Sequence, residues 1–109
     1  MQDAVINEVV RRLVNLYQPE RVYLFGSAAR GDSGPDSDLD LCIVLPQDAP
    51  PDSFRRSAHR HLWGMRVAVD VVKILSADFD RRSLHVKASL SATILREGRL
   101  LYDARPIAA

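Results

Sequence analysis

The segment Asp38–Leu45 constrains the fold most strongly, because two acidic residues open a run that is otherwise apolar. Asp38 and Asp40 alternate with leucines, and every residue from 41 to 45 is apolar. A strand that becomes continuously apolar is typical of the covered centre of a sheet. Charged side chains at its start need solvent, an opposite charge or a cation. The segment therefore predicts a central strand with a polar site at its first residues.

Helical and strand-like patterns alternate along the rest of the chain. Apolar residues recur at helical spacing over residues 3–17. Further helices are predicted at 54–64 and 78–97, and strands at 21–25, 38–45, 67–75 and 99–102. This order predicts an α/β (α+β) fold, with a small mixed sheet of about four strands and helices packed mainly on one face. At 109 residues, we expect one domain over 1–109.

Composition argues against several classes of protein. Lys and Arg number 15 and Asp and Glu 14, and this balance is not that of a general nucleic-acid-binding protein. No apolar run approaches the ~20 residues of a membrane-spanning helix. The single cysteine, Cys42, cannot form an intrachain disulfide and is expected to be a buried small hydrophobe. Without a visible signal peptide, these features favour a cytoplasmic location.

Three carboxylates are candidates for a metal site. Residues i and i+2 of a strand face the same side, so Asp38 and Asp40 project side by side. Asp70 is the one charge in the apolar run 67–72, where an uncompensated carboxylate is costly. If its strand lies beside 38–45, Asp70 joins the other two. Such an oxygen-rich site suits Mg²⁺, and three carboxylates can hold two metal ions about 4 Å apart.

Gly26-Ser27 is a candidate phosphate-binding turn. It follows the strand 21–25 directly and leads into a short helical turn that ends near Arg30. Free backbone N–H groups at a helix start bind phosphate, and glycine lets the phosphate approach closely. The Ser27 hydroxyl adds a donor, and the Arg30 guanidinium can reach the phosphate tail.

The combined pattern resembles a known family. Gly26-Ser27, ten intervening residues and Asp38-x-Asp40 are similar to the signature of the DNA polymerase β-like nucleotidyltransferase superfamily. Further segments resemble its minimal nucleotidyltransferase (MNT) branch, namely Leu24–Gly31, Ser37–Leu41, Val69–Val72 and Ile94–Tyr102. The resemblance covers roughly residues 20–102, which is nearly the whole chain.

This resemblance implies transfer of a nucleoside monophosphate, AMP from ATP or the equivalent from another NTP, to a hydroxyl group. Mg²⁺ is the implied cofactor, as two ions, and pyrophosphate is released. Asp38 and Asp40 correspond to the metal-ligand pair, Asp70 to the third catalytic and metal-binding acid, and Gly26 and Ser27 to the triphosphate site. Stand-alone members include antitoxins paired with HEPN-domain toxins, so a HEPN-type toxin is the implied acceptor and partner.

Structural roles remain open for the same residues. The alternatives are loop-end caps for Asp38 and Asp40, an ion pair of Asp70 with Arg66 or Lys73, a salt bridge for Arg30 and a helix N-cap for Ser27.

Other polar and aromatic residues have simpler expectations. Trp63 is expected in core or edge packing, with a partner surface as the alternative. The arginines at 55, 56 and 60 form a solvated face or meet an acidic partner or triphosphate. His59 and His61 are two residues apart on a predicted helix and diverge, which argues against a metal site there.

Two other functions compete with protein nucleotidylation. One is a non-catalytic binding module that neutralises a toxin sterically. The other is transfer to a small molecule or an RNA end, and the near-zero net charge counts against RNA. A free edge of a small sheet would also permit homo-oligomers.

Overall fold

The computed structural model describes residues 3–31, 38–65 and 67–105. Four strands alternate with the helices along the chain, and they are β1 (Arg21–Phe25), β2 (Leu39–Leu45), β3 (Val69–Leu75) and β4 (Arg99–Asp103). The α-helices are α1 (Asp3–Tyr17), α2 (Ser27–Arg30), α3 (Ala58–His61), α4 (Ser76–His85) and α5 (Leu90–Glu97). The predicted loop at 31–36 falls almost entirely outside the described residues.

The strands form one mixed sheet in the order β3-β2-β1-β4. β2 and β3 run parallel, whereas β1 pairs antiparallel with both β2 and β4. The burial of β2 is nearly complete from Leu41 to Leu45, as its apolar sequence predicts. The α/β class with a four-stranded mixed sheet is therefore confirmed.

Hydrophobic cores lie on both faces of the sheet. The larger core packs α1 and α3 against alternate strand residues, including Leu41 and Ile43. The smaller core packs Phe79 of α4 and Ile94 of α5 against Cys42 and its neighbours on the other face. Helices thus contact both faces rather than mainly one, because two-sided burial of β2 requires apolar cover above and below.

Two predicted helices differ from the structure. The segment predicted as a helix over 54–64 is a 3₁₀ turn (Pro51–Phe54) followed by the short α3. The predicted helix over 78–97 is divided into α4 and α5, and Ser89 caps α5 by accepting a hydrogen bond from the Ala92 N–H. Within the three described ranges, no helix is long and apolar enough to cross a membrane.

Candidate active site

Asp40 and Asp70 occupy paired positions on neighbouring strands. In the parallel register of β2 and β3, their α-carbons are direct partners. Paired residues of adjacent strands project to the same face, with the strands about 4.8 Å apart. The condition set by the sequence, that Asp70 must lie on the strand beside β2, is therefore met. These two acids lie on the face that carries Cys42 and, farther along, α4 and α5.

Asp38 extends the acidic cluster toward solvent. It lies one residue before β2, is exposed, and precedes Asp40 by two positions. Its negative charge acts on the Asp40 carboxylate. The structure thus places Asp38 and Asp70 close enough for their charges to act on Asp40.

The environment of Asp40 disfavours its ionised form. Partial burial is the largest cause, the charges of Asp70 and Asp38 add to it, and together they raise the pKa of Asp40. The positive charge of Arg30 acts in the opposite direction. The cluster therefore carries negative charge that a bound cation would relieve.

The carboxylates do not form a closed metal cage. In the part of the chain that the structure describes, no three His, Cys, Asp or Glu side chains are grouped closely enough to hold a metal ion by themselves. Mg²⁺ commonly binds through one or two carboxylates together with waters and substrate phosphates. The donor set here fits that mode, in which the substrate completes the coordination.

Gly26 lies directly against the carboxylate of Asp40. It follows Phe25, the residue that pairs with Asp40 across β1 and β2. Its backbone has φ 73° and ψ −156°, a region that is essentially restricted to glycine. A Cβ at this position would overlap the Asp40 carboxylate, whose Cγ would lie only 3.2 Å away. The missing side chain therefore allows the turn to contact the acid directly.

Ser27 and Arg30 lie on the single-turn helix α2. Gly26 is the N-cap residue of α2, and no side chain caps it. The alternative role of Ser27 as a side-chain N-cap is therefore not found, and Ser27 is half-buried at the first position of α2. Arg30 is exposed at the last position of α2, and its charge acts on Asp40.

Lys73 is not the partner of Asp70. Its ammonium group donates to the carbonyls of Phe54 at 2.9 Å and Arg56 at 3.0 Å, and lies 5.2 Å from the centroid of the Tyr17 ring. These contacts lie on the sheet face opposite the Asp70 side chain, because residues three apart on a strand alternate. The other suggested partner, Arg66, lies outside the described residues.

Two open clefts beside Asp70 were not predicted from the sequence. Their volumes are about 290 Å³ and 430 Å³, and His59, Val69 and Asp70 line both. Trp63, expected to be packed, lines the second cleft and is 86% exposed. That expectation is wrong because the turn 62–65 packs Leu62 and Met65 against the larger core and leaves Trp63 in solvent. No periodicity in the sequence could have revealed clefts between segments that are distant in the chain.

Comparison with known proteins agrees with this fold. A family model described as a nucleotidyltransferase domain matches residues 6–101. Among proteins with curated descriptions, none matches this sequence.

Two crystal structures share the fold. One is a Sulfolobus solfataricus protein provisionally assigned as a nucleotidyltransferase, with a TM-score of 0.60 and 22% identity over 93% of this chain and 79% of that one. The other is a chain of a toxin–antitoxin complex with AMP-PNP, with a TM-score of 0.60 and 19% identity over 91% of this chain and 73% of that one. Identities this low establish similarity of fold alone.

Proposed function

Because this chain belongs to the nucleotidyltransferase domain family, we propose that it transfers AMP from ATP to a hydroxyl group of a partner protein. The observation that carries the proposal is the pairing of Asp40 with Asp70 across β2 and β3, beside the bare backbone of Gly26. Negative charge and an open backbone turn are thereby adjacent, and a metal–triphosphate complex needs both.

Each residue of the cluster has a distinct role in this proposal. Asp38 and Asp40 would hold Mg²⁺, and Asp70 would contribute to the binding of a second ion. Gly26 and Ser27 contact the triphosphate through backbone N–H groups and the serine hydroxyl, while Arg30 adds positive charge. When bound, Mg²⁺ supplies electrostatic stabilisation of the charge that develops on the phosphate oxygens.

The proposed reaction is an in-line displacement at the α-phosphorus. The acceptor hydroxyl oxygen forms a bond to the α-phosphorus, and the bond from that phosphorus to the oxygen bridging to the β-phosphate breaks. Pyrophosphate leaves, and Asp70 accepts the hydroxyl proton. Asp70 suits this step because it is exposed and lies on the opposite side of Asp40 from Gly26 and Ser27.

The proposed acceptor is a HEPN-type toxin, and the chain is then its antitoxin in the cytoplasm. The fold shared with a chain of a toxin–antitoxin complex that holds AMP-PNP supports this partner class. The exposure of Asp70 on the terminal strand β3 also supports a macromolecular acceptor, because it leaves this side of the cluster accessible.

Transfer can be tested directly. The purified chain is incubated with α-labelled ATP, Mg²⁺ and the protein encoded by the adjacent gene, and we expect label on that protein. Asp38→Asn, Asp40→Asn and Asp70→Asn should each lower the rate at least about 100-fold, because each removes a group that acts on the reacting phosphate. Asp48→Asn, an exposed acid in the turn after β2, is the matched control and should transfer normally.

The same variants separate catalysis from steric binding. Equal labelling by wild type and Asp40→Asn would contradict the catalytic assignment. Toxin neutralisation that persists in an Asp38→Asn/Asp40→Asn double variant would instead support a non-catalytic binding module.

A further inference from the structure

Within the described residues, β3 is the terminal strand of the sheet, and its outer edge, beside the candidate site, pairs with no other strand. The Ala68 carbonyl accepts a hydrogen bond from the Leu39 N–H at 2.9 Å, so the backbone groups of Ala68 face β2. In regular parallel pairing, the backbone N–H and C=O groups of successive residues point alternately toward the neighbouring strand and away from it. The N–H and C=O groups of Val69, Val71 and Lys73 therefore face away from β2, where another extended chain can bind them.

Basic residues line a cleft beside this edge, and the surface formed by Arg56, Lys73 and the segment 56–59 is here called the wall. The cleft of about 290 Å³ lies between residues 69–73 of β3 and the segment 56–59. Arg56 and Lys73 both line it and are positively charged, and His59 lines both this cleft and the second one. Asp70 is the one acidic residue in the lining. The cleft thus favours an acidic ligand and offers it strand-like backbone partners.

The wall is held in place before any ligand binds. Tyr17 donates its hydroxyl hydrogen to the Arg56 carbonyl at 2.7 Å, and Lys73 donates to the same carbonyl. The Arg56 guanidinium donates to the Leu16 carbonyl at 2.8 Å. A wall fixed in this way loses little conformational entropy on binding.

The second cleft continues the first along the same edge. It has a volume of about 430 Å³, and its lining is largely apolar except for His59 and Asp70. Trp63 projects there, and the carbonyls of His61 and Trp63 both accept hydrogen bonds from Arg12 Nη1, at 3.1 and 3.2 Å. An exposed aromatic side chain on an anchored turn is typical of the central contacts of protein interfaces.

We propose that the β3 edge binds an extended, acidic segment of a partner protein by strand addition and places a hydroxyl of that segment beside Asp70. The acidic side chains face Arg56 and Lys73, and an apolar side chain contacts Trp63. The role of this segment as the acceptor rests on the proposed function, whereas its binding does not. Backbone groups at the edge match a peptide rather than a nucleic acid, although both carry negative charge.

Trp63 provides a direct reporter, because it is the single tryptophan of the chain. Short peptides with a central serine, glutamates on one side and leucine on the other are titrated without nucleotide, and tryptophan fluorescence is recorded. We expect the acidic peptide to bind at least about tenfold more tightly than its lysine counterpart, since the charges then repel Arg56 and Lys73. Methylation of alternate backbone nitrogens should weaken binding to a similar degree.

A negative charge added to the wall, or a positive charge removed from it, should have the same effect. His59→Glu is the main variant, because the His59 side chain makes none of the bonds that hold the wall, and Arg56→Gln is the second. Each variant should lower the affinity for the acidic peptide by about five- to tenfold. Lys87→Glu, an exposed lysine on the α4–α5 connection, reverses a charge elsewhere and should bind as wild type.

Several outcomes would overturn the proposal. These are equal affinity for the acidic and lysine peptides, equal affinity for the N-methylated peptide, or an oligonucleotide that binds at Trp63 as tightly as the peptide.

The proposed function fails separately. Peptide binding with no ATP-dependent labelling of any acceptor would contradict nucleotidyl transfer and leave the binding edge intact. If the His59→Glu variant labels the toxin at the normal rate, the β3 edge does not bind the acceptor during the reaction, and the proposal of nucleotidyl transfer is unaffected.

Discussion

The α-carbon of Gly26 packs directly against the carboxylate of Asp40, so that one added methyl group would occupy the carboxylate's position. The antiparallel register of Phe25 with Asp40 produces this contact, because it delivers the end of β1 to the start of β2. A phosphate held by the turn and a cation held by the acid would therefore be neighbours. The glycine and the acid form one structural unit, although they lie 14 positions apart in the sequence.

Gly26→Ala should abolish transfer and destabilise the fold. The alanine would adopt a backbone conformation that costs about 1–3 kcal/mol, and its methyl group would displace Asp40. Gly31→Ala is the matched control, because Gly31 also has a positive φ of 78° but its Cβ would meet nothing within 4 Å. The control should lose only about 1–2 kcal/mol and retain transfer. Denaturant unfolding and the labelling assay measure both, and equal activity of the two variants would contradict the assigned contact.

Asp40→Asn should raise the thermal stability of the ligand-free protein at neutral pH. The pKa of Asp40 is raised above its ordinary value of 3.8, chiefly by burial and then by Asp70 and Asp38, so the ionised carboxylate destabilises the folded state above that pH. The stability gain should disappear below pH 3.8, where Asp40 is protonated in both states. Thermal melts across pH test this, with Asp48→Asn as the control. With saturating Mg²⁺ and ATP the order should reverse, because ligand stabilises only the wild type; a less stable Asp40→Asn without ligand would contradict the prediction.

Arg21→Met should destabilise the fold without affecting the site chemistry. Arg21 is only 2% exposed, its guanidinium lies 3.1 Å from Glu20 and 2.9 Å from Asp80, and it stacks 5.1 Å from the Phe79 ring centroid. Both carboxylates keep some access to water, so we expect a loss of about 2–4 kcal/mol in the free energy of unfolding. The exposed Arg81→Met should lose less than about 1 kcal/mol.

The transfer rate supplies the second readout for Arg21→Met. Arg21 begins β1 and Gly26 follows its end, so the two lie at opposite ends of the strand. A folded Arg21→Met protein should therefore label its acceptor at the wild-type rate, and a specific loss of labelling would contradict a purely structural role.

Cys42 should be inert in the native state. It is buried in the smaller core, and burial raises the pKa of its thiol to about 12, so little reactive thiolate forms. Disulfide-exchange reagents should modify it at least about 10³-fold more slowly in the native protein than in denaturant. Rapid modification of the native protein would show that the β2 core opens locally.

Several elements were predictable from the sequence because their signals are local. Helix α1 and strand β1 have the predicted bounds, since amphipathic periodicity and β-branched residues report on the nearest neighbours in the chain. The Gly26-Ser27 and Asp38-x-Asp40 motifs likewise lie within one hairpin-like unit, β1–α2–β2, whose pairing the short connection favours.

The segment 51–65 was predicted less well, because distant side chains decide its conformation. Tyr17 and Lys73 bind the carbonyl of Arg56, and Arg12 binds those of His61 and Trp63. Carbonyls that accept hydrogen bonds from side chains in this way do not accept the backbone hydrogen bonds of a continuous helix. The one predicted helix is therefore a 3₁₀ turn followed by the short α3.

By itself, the sequence determined which polar residues are candidates for the site, because a strand's two-residue period and a glycine-rich turn can be recognised without knowing the fold. Only the tertiary structure decided that Asp70 faces Asp40 and that the far edge of β3 is free. Strand order and register depend on contacts between β2 and β3, which residues 46–68 separate in the chain. No local periodicity encodes such a pairing, because it is selected by the burial of both strands in a common core.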